Sequence, residues 1–337
     1  MSVLGARAFA RAAMCGATVL ALAAGVAACG ADSQGSASKS GNDLPRTIKL
    51  VVPGAAGGGG DVLARQLAKA SKPFLKANII VLNQPGAGGQ TALQTCAGAK
   101  PDGGCVVHVS RSVITLNPYV SASRYKYSDV RGVFRVQIDP TYIAVPGDSS
   151  IKTIDDLIAT AKQKKLDLVG GAVGSVEYVL VERLQKAAGF KVNYVPYEGG
   201  STVGLDLAGG HEDVGIVNAS DNLDLIKQGK LRLLAVARPK RAQAYPDVPT
   251  LAETGHDVGD LDQWRGFVVP KSVPASVVKE LDGAFKQAIE EPSFKEYQAS
   301  SGLLPGYAGP ADLDALMKKQ STEAQQLFQQ LGILKAS

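Results

Sequence analysis

Between residues 48 and 236, short apolar runs alternate with runs of helical period, and that rhythm commits the chain to an α/β fold. Residues 48–52 read as a strand. Leu63, Leu67, Ala70 and Phe74 then fall on one helical face. Residues 79–82 are an apolar run of the kind buried in parallel sheets, and a second helix and a strand at 105–109 follow. The first two strand-to-helix junctions are glycine-rich turns. One is Val52-Pro53-Gly54-Ala55-Ala56-Gly57-Gly58-Gly59-Gly60-Asp61, and the other is Asn83-Gln84-Pro85-Gly86-Ala87-Gly88-Gly89. Such turns point free backbone N–H groups and a positive helix end at one spot, a ready place for an anion. Ligands of open α/β sheets bind at that carboxyl edge of the strands.

The rhythm continues with strands at 141–145, 166–171, 192–195, 214–217 and 231–236, a late strand at 266–270, and amphipathic helices at 154–164, 176–188, 277–289 and 313–331. A small-residue turn, Ala172-Val173-Gly174-Ser175, precedes the helix at 176. With 337 residues, the chain has length for two α/β lobes.

The first 28 residues stand apart. Arg7 and Arg11 form a positive start and 12–28 is alanine-rich and apolar, as in a secretory signal. Val26-Ala27-Ala28-Cys29 resembles the lipobox of bacterial lipoprotein signals, which implies Cys29 as the lipidated first residue. The apolar stretch is shorter than the ~20 residues a membrane span prefers, and no basic stop-transfer cluster follows. Residues 30–43 are Ser-, Gly- and Ala-rich without hydrophobic period. They read as a flexible tether with a span of about 20 Å. The chain is therefore expected to be lipid-anchored on the outer face of the cytoplasmic membrane.

Charge and cysteines fit that address. The net charge of +5 loses Arg7 and Arg11 with the signal and becomes +3, too mild for a nucleic-acid partner. After Cys15 and Cys29 are set aside, Cys96 and Cys105 remain. A helix end and a strand start across the tight turn Pro101-Asp102-Gly103-Gly104 come within disulfide reach in an oxidising compartment, the alternative being two buried thiols.

Other chemistries lack their residues. The first turn ends in Gly60-Asp61 where a phosphate loop needs Gly-Lys-Ser/Thr, and Asn83 stands where a dinucleotide site wants an acid. There is no nucleophile elbow. His108, His211 and His256 are not at metal-ligand spacing, so no metal, cofactor or catalytic group is expected. Asp61 reads equally as a helix N-cap and as a ligand contact.

A series of segments resembles the substrate-binding proteins of tripartite tricarboxylate transporters, the Bug family. They are Val52-Pro53 with Gly57-Gly58 and Asp61-Val62-Leu63-Ala64-Arg65; Asn83 to Gly89; Ala99-Lys100-Pro101-Asp102-Gly103; Val195-Pro196-Tyr197-Glu198-Gly199-Gly200; Pro246-Asp247-Val248-Pro249-Thr250-Leu251-Ala252-Glu253-Thr254-Gly255; and Trp264-Arg265-Gly266 ending in Pro270. The resemblance implies a two-lobed periplasmic-binding-protein fold, type II-like, each lobe a mainly parallel sheet flanked by helices. Lobe 1 would be 47–143 plus 267–337, after a signal at 1–28 and a tether at 29–46, and lobe 2 would be 144–266. It implies a small carboxylate held by backbone groups and ordered water at Gly54, Ala55, Ala56, Gly57 and Gly58, with Asp61 taking an amine, hydroxyl or water on the ligand, Ser110, Ser112, Gly174, Ser175 and Asn218 completing the site, and Tyr197 and Trp264 near the cleft. A lone Trp near a lobe junction is more often packing than ligand contact, and a strand-end Tyr packs well too. The implied partners are the large and small membrane subunits of such a transporter, served by a monomer. A membrane sensor is the alternative partner, and an enzyme of small acids the least favoured reading. Three positions depart from the family pattern: Gly54 in place of an aromatic, Glu198 in place of Lys, and Tyr178 in place of His. Glu198 in the cleft would disfavour a polyanion.

Overall fold

The computed structural model describes residues 44–121, 123–197 and 199–334. The signal, the lipobox with Cys29, most of the tether and Glu198 lie outside the described residues. The chain begins with β1 (Thr47–Val52), α1 (Gly59–Ala70), β2 (Asn78–Asn83), α2 (Gln90–Ala97), β3 (Cys105–Ser110) and β4 (Val130–Asp139). It continues through β5 (Thr141–Pro146), α3 (Ile154–Gln163), β6 (Asp167–Gly170), α4 (Val176–Ala188), β7 (Asn193–Pro196), α5 (Gly200–Ala208), β8 (Val214–Asn218), α6 (Ala219–Lys227) and β9 (Leu231–Val236). It ends with β10 (Gln263–Pro270), α7 (Ala275–Glu290), α8 (Pro292–Ser300), β11 (Leu304–Ala308) and α9 (Pro310–Gln330).

These strands build two sheets. The first has the order β11-β4-β10-β3-β1-β2 and the second β7-β6-β8-β5-β9. The β-α-β units make the parallel parts: β1 pairs with β2 and β3, and β6 with β7 and β8. Both sheets are nonetheless mixed. β10 runs antiparallel between β3 and β4, and β5 runs antiparallel between β8 and β9. These two inserted strands each follow a crossing between the sheets. The chain leaves the first sheet at Asp139, enters the second at Thr141, and returns at Gln263.

Apolar faces explain the layers. The buried side of α1 (Leu63, Ala64, Leu67, Ala70) joins Phe134, Phe267 and Phe285 on one face of the first sheet. Trp264, Leu313 and Met317 pack on its other face, with Cys96 and Cys105. Those two cysteines are disulfide-bonded, their Cα atoms 5.5 Å apart. Leu116, Tyr119, Ala324 and Phe328 pack with α3 and α4 against the second sheet, so the 112–120 segment and α9 span both lobes. Among the described residues no helix is long and apolar enough to cross a membrane.

Candidate functional site

The first glycine turn is shaped from within. Gly57 takes φ +82°, a left-handed conformation suited to glycine, and its N–H donates to Asp61 Oδ2 at 2.9 Å. Arg65 Nε donates to the same oxygen at 3.0 Å, and its Nη2 pairs with Oδ1 at 2.9 Å. Burial works against the Asp61 charge, but the hydrogen bonds from Arg65, Gly57 and Asn83 outweigh it and hold its pKa below the usual value. From the end of β2, Asn83 Nδ2 donates to Gly54 O at 3.1 Å. Ala55, Ala56 and Gly57 remain exposed. The N-cap of α1 is Gly58, so Asp61 is not the cap; the helix starts early because Gly59 and Gly60 are themselves helical.

What meets this helix start comes from the other lobe. Gly59 N–H donates to Asp221 Oδ1 at 2.9 Å, across 162 residues of sequence. Asp221 is the third residue of α6, and its carboxylate fits between two glycines that open helices. A Cβ on Gly59 would overlap Oδ1, and one on Gly200, at the start of α5, would stand 2.7 Å from Oδ2. Arg265 of β10 completes the enclosure. Its Nη1 and Nη2 each lie 2.9 Å from the Cβ position of Gly59. Its Nη2 reaches Asp221 Oδ2 at 3.4 Å and Asp139 Oδ2 at 2.6 Å, and Nε reaches Asp139 at 3.2 Å. Ser220 Oγ donates to Asp139. Two carboxylates thus share one buried guanidinium where the chain crosses between sheets. Burial pushes Asp139 up, with Arg265 opposing. Burial works against the Arg265 charge, but Asp221 and Asp139 outweigh it and push its pKa up.

The helix start of α4 is matched in the same way. Ser175 is its N-cap, with Oγ accepting from Tyr178 N at 3.3 Å. Gly174 has φ +89°, and Val120 occupies the place of its missing Cβ. Ser112 Oγ, from the first lobe, accepts from Val176 N at 3.1 Å and from Gln263 Nε2 at 2.9 Å. Ser110 Oγ accepts from Val113 N at 3.5 Å, on its own side. Asn218 Nδ2 donates to Asp139 O and Pro140 O at 3.4 Å and to Thr141 Oγ1 at 3.2 Å, pinning the first crossing.

With this geometry in place, similarity to known proteins becomes informative. A model of the tripartite tricarboxylate transporter family receptor matches residues 63–333. The UPF0065 protein of the gbd 5′ region of Cupriavidus necator is 31% identical over 94% of this chain and 96% of its own. The solved periplasmic binding protein BugD is 28% identical with a TM-score of 0.79, over 86% of this chain and 99% of its own. A protein of R. palustris solved with adipate is 25% identical with a TM-score of 0.80, over 86% and 98%. The chain belongs to the tripartite tricarboxylate transporter receptor family.

In this receptor the structure brings Ser112 to the Gly174–Ser175 turn, and Gly59 to Asp221, just beyond Asn218. Two other residues named from the sequence point elsewhere. Tyr197 OH lies 3.4 Å from Glu212 Oε1. Trp264 is buried in the first lobe, and its indole N–H donates to Gln320 Oε1 of α9 at 2.7 Å. Sequence reasoning missed Gly59, Gly200, Asp139, Asp221 and Arg265. One signal was available: an arginine inside the apolar run 263–270 must find a buried anion.

Proposed function

We propose that this receptor is a lipid-anchored extracytoplasmic protein that seats a small carboxylate where helix starts from its two lobes meet, and passes it to the membrane subunits of a tripartite transporter. One observation carries this reading: Gly59 N–H and Arg265, in one lobe, already grip a carboxylate presented from the other. Each helix start adds about 0.3–2 kcal/mol toward an anion, and several of them together support micromolar binding, about 8 kcal/mol. The adipate bound to the R. palustris relative supports the same chemistry. We take the lobes to be the two sheets with their helices, hinged at 139–141 and 261–263, where Asn218 and Arg265 hold the crossings. The lipobox at 26–29 supports the anchor.

A thermal-shift screen of the processed protein against mono-, di- and tricarboxylates and amino acids tests the reading. A ligand at 100 times its Kd adds about 2.7 kcal/mol and raises Tm by several degrees. Silence across the whole set would refute it.

A further inference from the structure

The carboxylate gripped between the lobes belongs to the chain itself, and its surroundings bear on which acids the site accepts. Asp221 is placed, not adventitious. It is mostly buried, with 13% of its side chain exposed, and it lies against two glycines whose missing Cβ atoms make its room. The charges around it are unequal. Arg265 is committed first to Asp139, at 2.6 Å, and only then to Asp221, at 3.4 Å. Glu177, at the start of α4, is also buried, with Asp221 and Arg265 close enough to influence its charge. A ligand carboxylate entering beside Arg265 would therefore be a third anion on one guanidinium, and like charges in a site of low polarity repel strongly. An ammonium group in the same place would give Asp221 the full partner it lacks.

We propose that Asp221 is the specificity-determining residue of the site. It occupies the seat that one end of a plain dicarboxylate needs, and so tunes the receptor toward acids that carry an amino group at that end. This rests on the carboxylate-binding reading above. The other end of the ligand binds as a carboxylate, and Asp221 decides only what faces α1 and Arg265.

The test compares length-matched pairs, succinate with 4-aminobutyrate and adipate with 6-aminohexanoate, by titration calorimetry on the processed protein and its Asp221→Asn variant. Asn keeps an oxygen for Gly59 N–H and removes the charge. Asp221→Ser is the second variant should Asn fail to fold. The expected result is a shift of tenfold or more in the dicarboxylate-to-amino-acid affinity ratio in favour of the dicarboxylate in both pairs. If the wild type binds members of either pair and the ratio stays within twofold, Asp221 has no such role, and the carboxylate reading stands. If no member of either pair binds wild type or variant, this inference falls, and the carboxylate reading is then decided by the wider screen above.

Discussion

The two glycine turns begin alike and end differently. They follow parallel strands paired in register from Thr47↔Asn78 to Val52↔Asn83, and both lead into helices at the same sheet edge. The first presents its helix start to the other lobe, where Asp221 and Arg265 meet it. The second turns toward its own lobe. Gly86, Ala87, Gly88 and Gly89 all have positive φ, and Gly88 O accepts from Asn117 Nδ2 at 3.4 Å. The Cβ position of Gly89 is 2.5 Å from Val113 Cγ1. The second turn is thus a bearing for the 112–120 segment, which in turn reaches α4 through Ser112 and Val120. Glycine content marks where backbone comes close to something. It does not say whether that something is a ligand seat or a neighbouring side chain.

The sharpest way to break this comparison is to add a methyl group to each turn. In the second, Gly89→Ala forces an L-residue to φ +96° against Val113. Left-handed strain of about 1–2 kcal/mol and overpacking of about 1–3 kcal/mol add to an expected loss of about 2–5 kcal/mol. In the first, Gly59 is helical, and its new Cβ would meet the movable ends of Asp221 and Arg265. Gly59→Ala is expected to cost less than about 1 kcal/mol while disturbing the carboxylate seat. Urea unfolding of both variants decides it. A larger loss at Gly59 would reverse the roles assigned to the turns.

Legibility followed the same divide. The β-α-β rhythm and both turns were readable because their signals are local: apolar period, glycine and proline. β4 was not, because Arg131, Arg135, Gln137 and Asp139 interrupt its apolar run. Their partners are remote in sequence: Val273 O, Gly306 O, Gln298 and Arg265. The antiparallel insertion of β10 and β5 follows from the two crossings, which no periodicity announces. The Gly59–Asp221 contact was hidden for the same reason, since a glycine turn reveals its own shape and not what the other lobe brings to it. Trp264 illustrates the converse. The family resemblance placed it near a cleft, whereas a lone Trp is as a type more often packing, and its indole N–H donates to Gln320 in α9, 56 residues on.

Acidity separates the turns by a smaller margin. His108 lies beneath the first turn, with Cε1 2.9 Å from the Cβ position of Gly60, whereas the glycines of the second face Thr91, Asn117 and Val113. Burial, helped by the Arg265 charge, pushes its pKa down to about 3. The unfolded chain, near 6.5, therefore takes up a proton first, and the stability present above pH 6.5 is lost as pH falls toward 3. The slope approaches 1.4 kcal/mol per pH unit, or about 2 kcal/mol lost by pH 5 relative to neutral. Asp139 and Glu177, pushed up by burial, act in the opposite sense, so the whole-protein curve mixes both. The difference between wild type and His108→Leu isolates the histidine. That difference should change steadily between pH 6.5 and 5, and parallel curves would remove His108 from the account.

The smallest expected effect concerns the residue that gives the first turn its shape. Both oxygens of Asp61 are spent inside the turn, on Gly57 N–H and on Arg65. Asp61→Asn keeps one acceptor and loses the charge. Arg65 is more than half exposed, so the ion pair is worth no more than about 1 kcal/mol. A carboxylate in the first turn of a helix adds about 0.3–1 kcal/mol. The expected cost is about 1 kcal/mol of stability, with carboxylate affinity changed by less than twofold or so, because the turn keeps its form and both oxygens of Asp61 are already engaged inside it. Chemical denaturation and calorimetry on the same variant separate the two roles. A tenfold loss of affinity at unchanged stability would move Asp61 from the frame of the turn to its contents, and the first turn would then recognise its guest by side chain as well as by backbone.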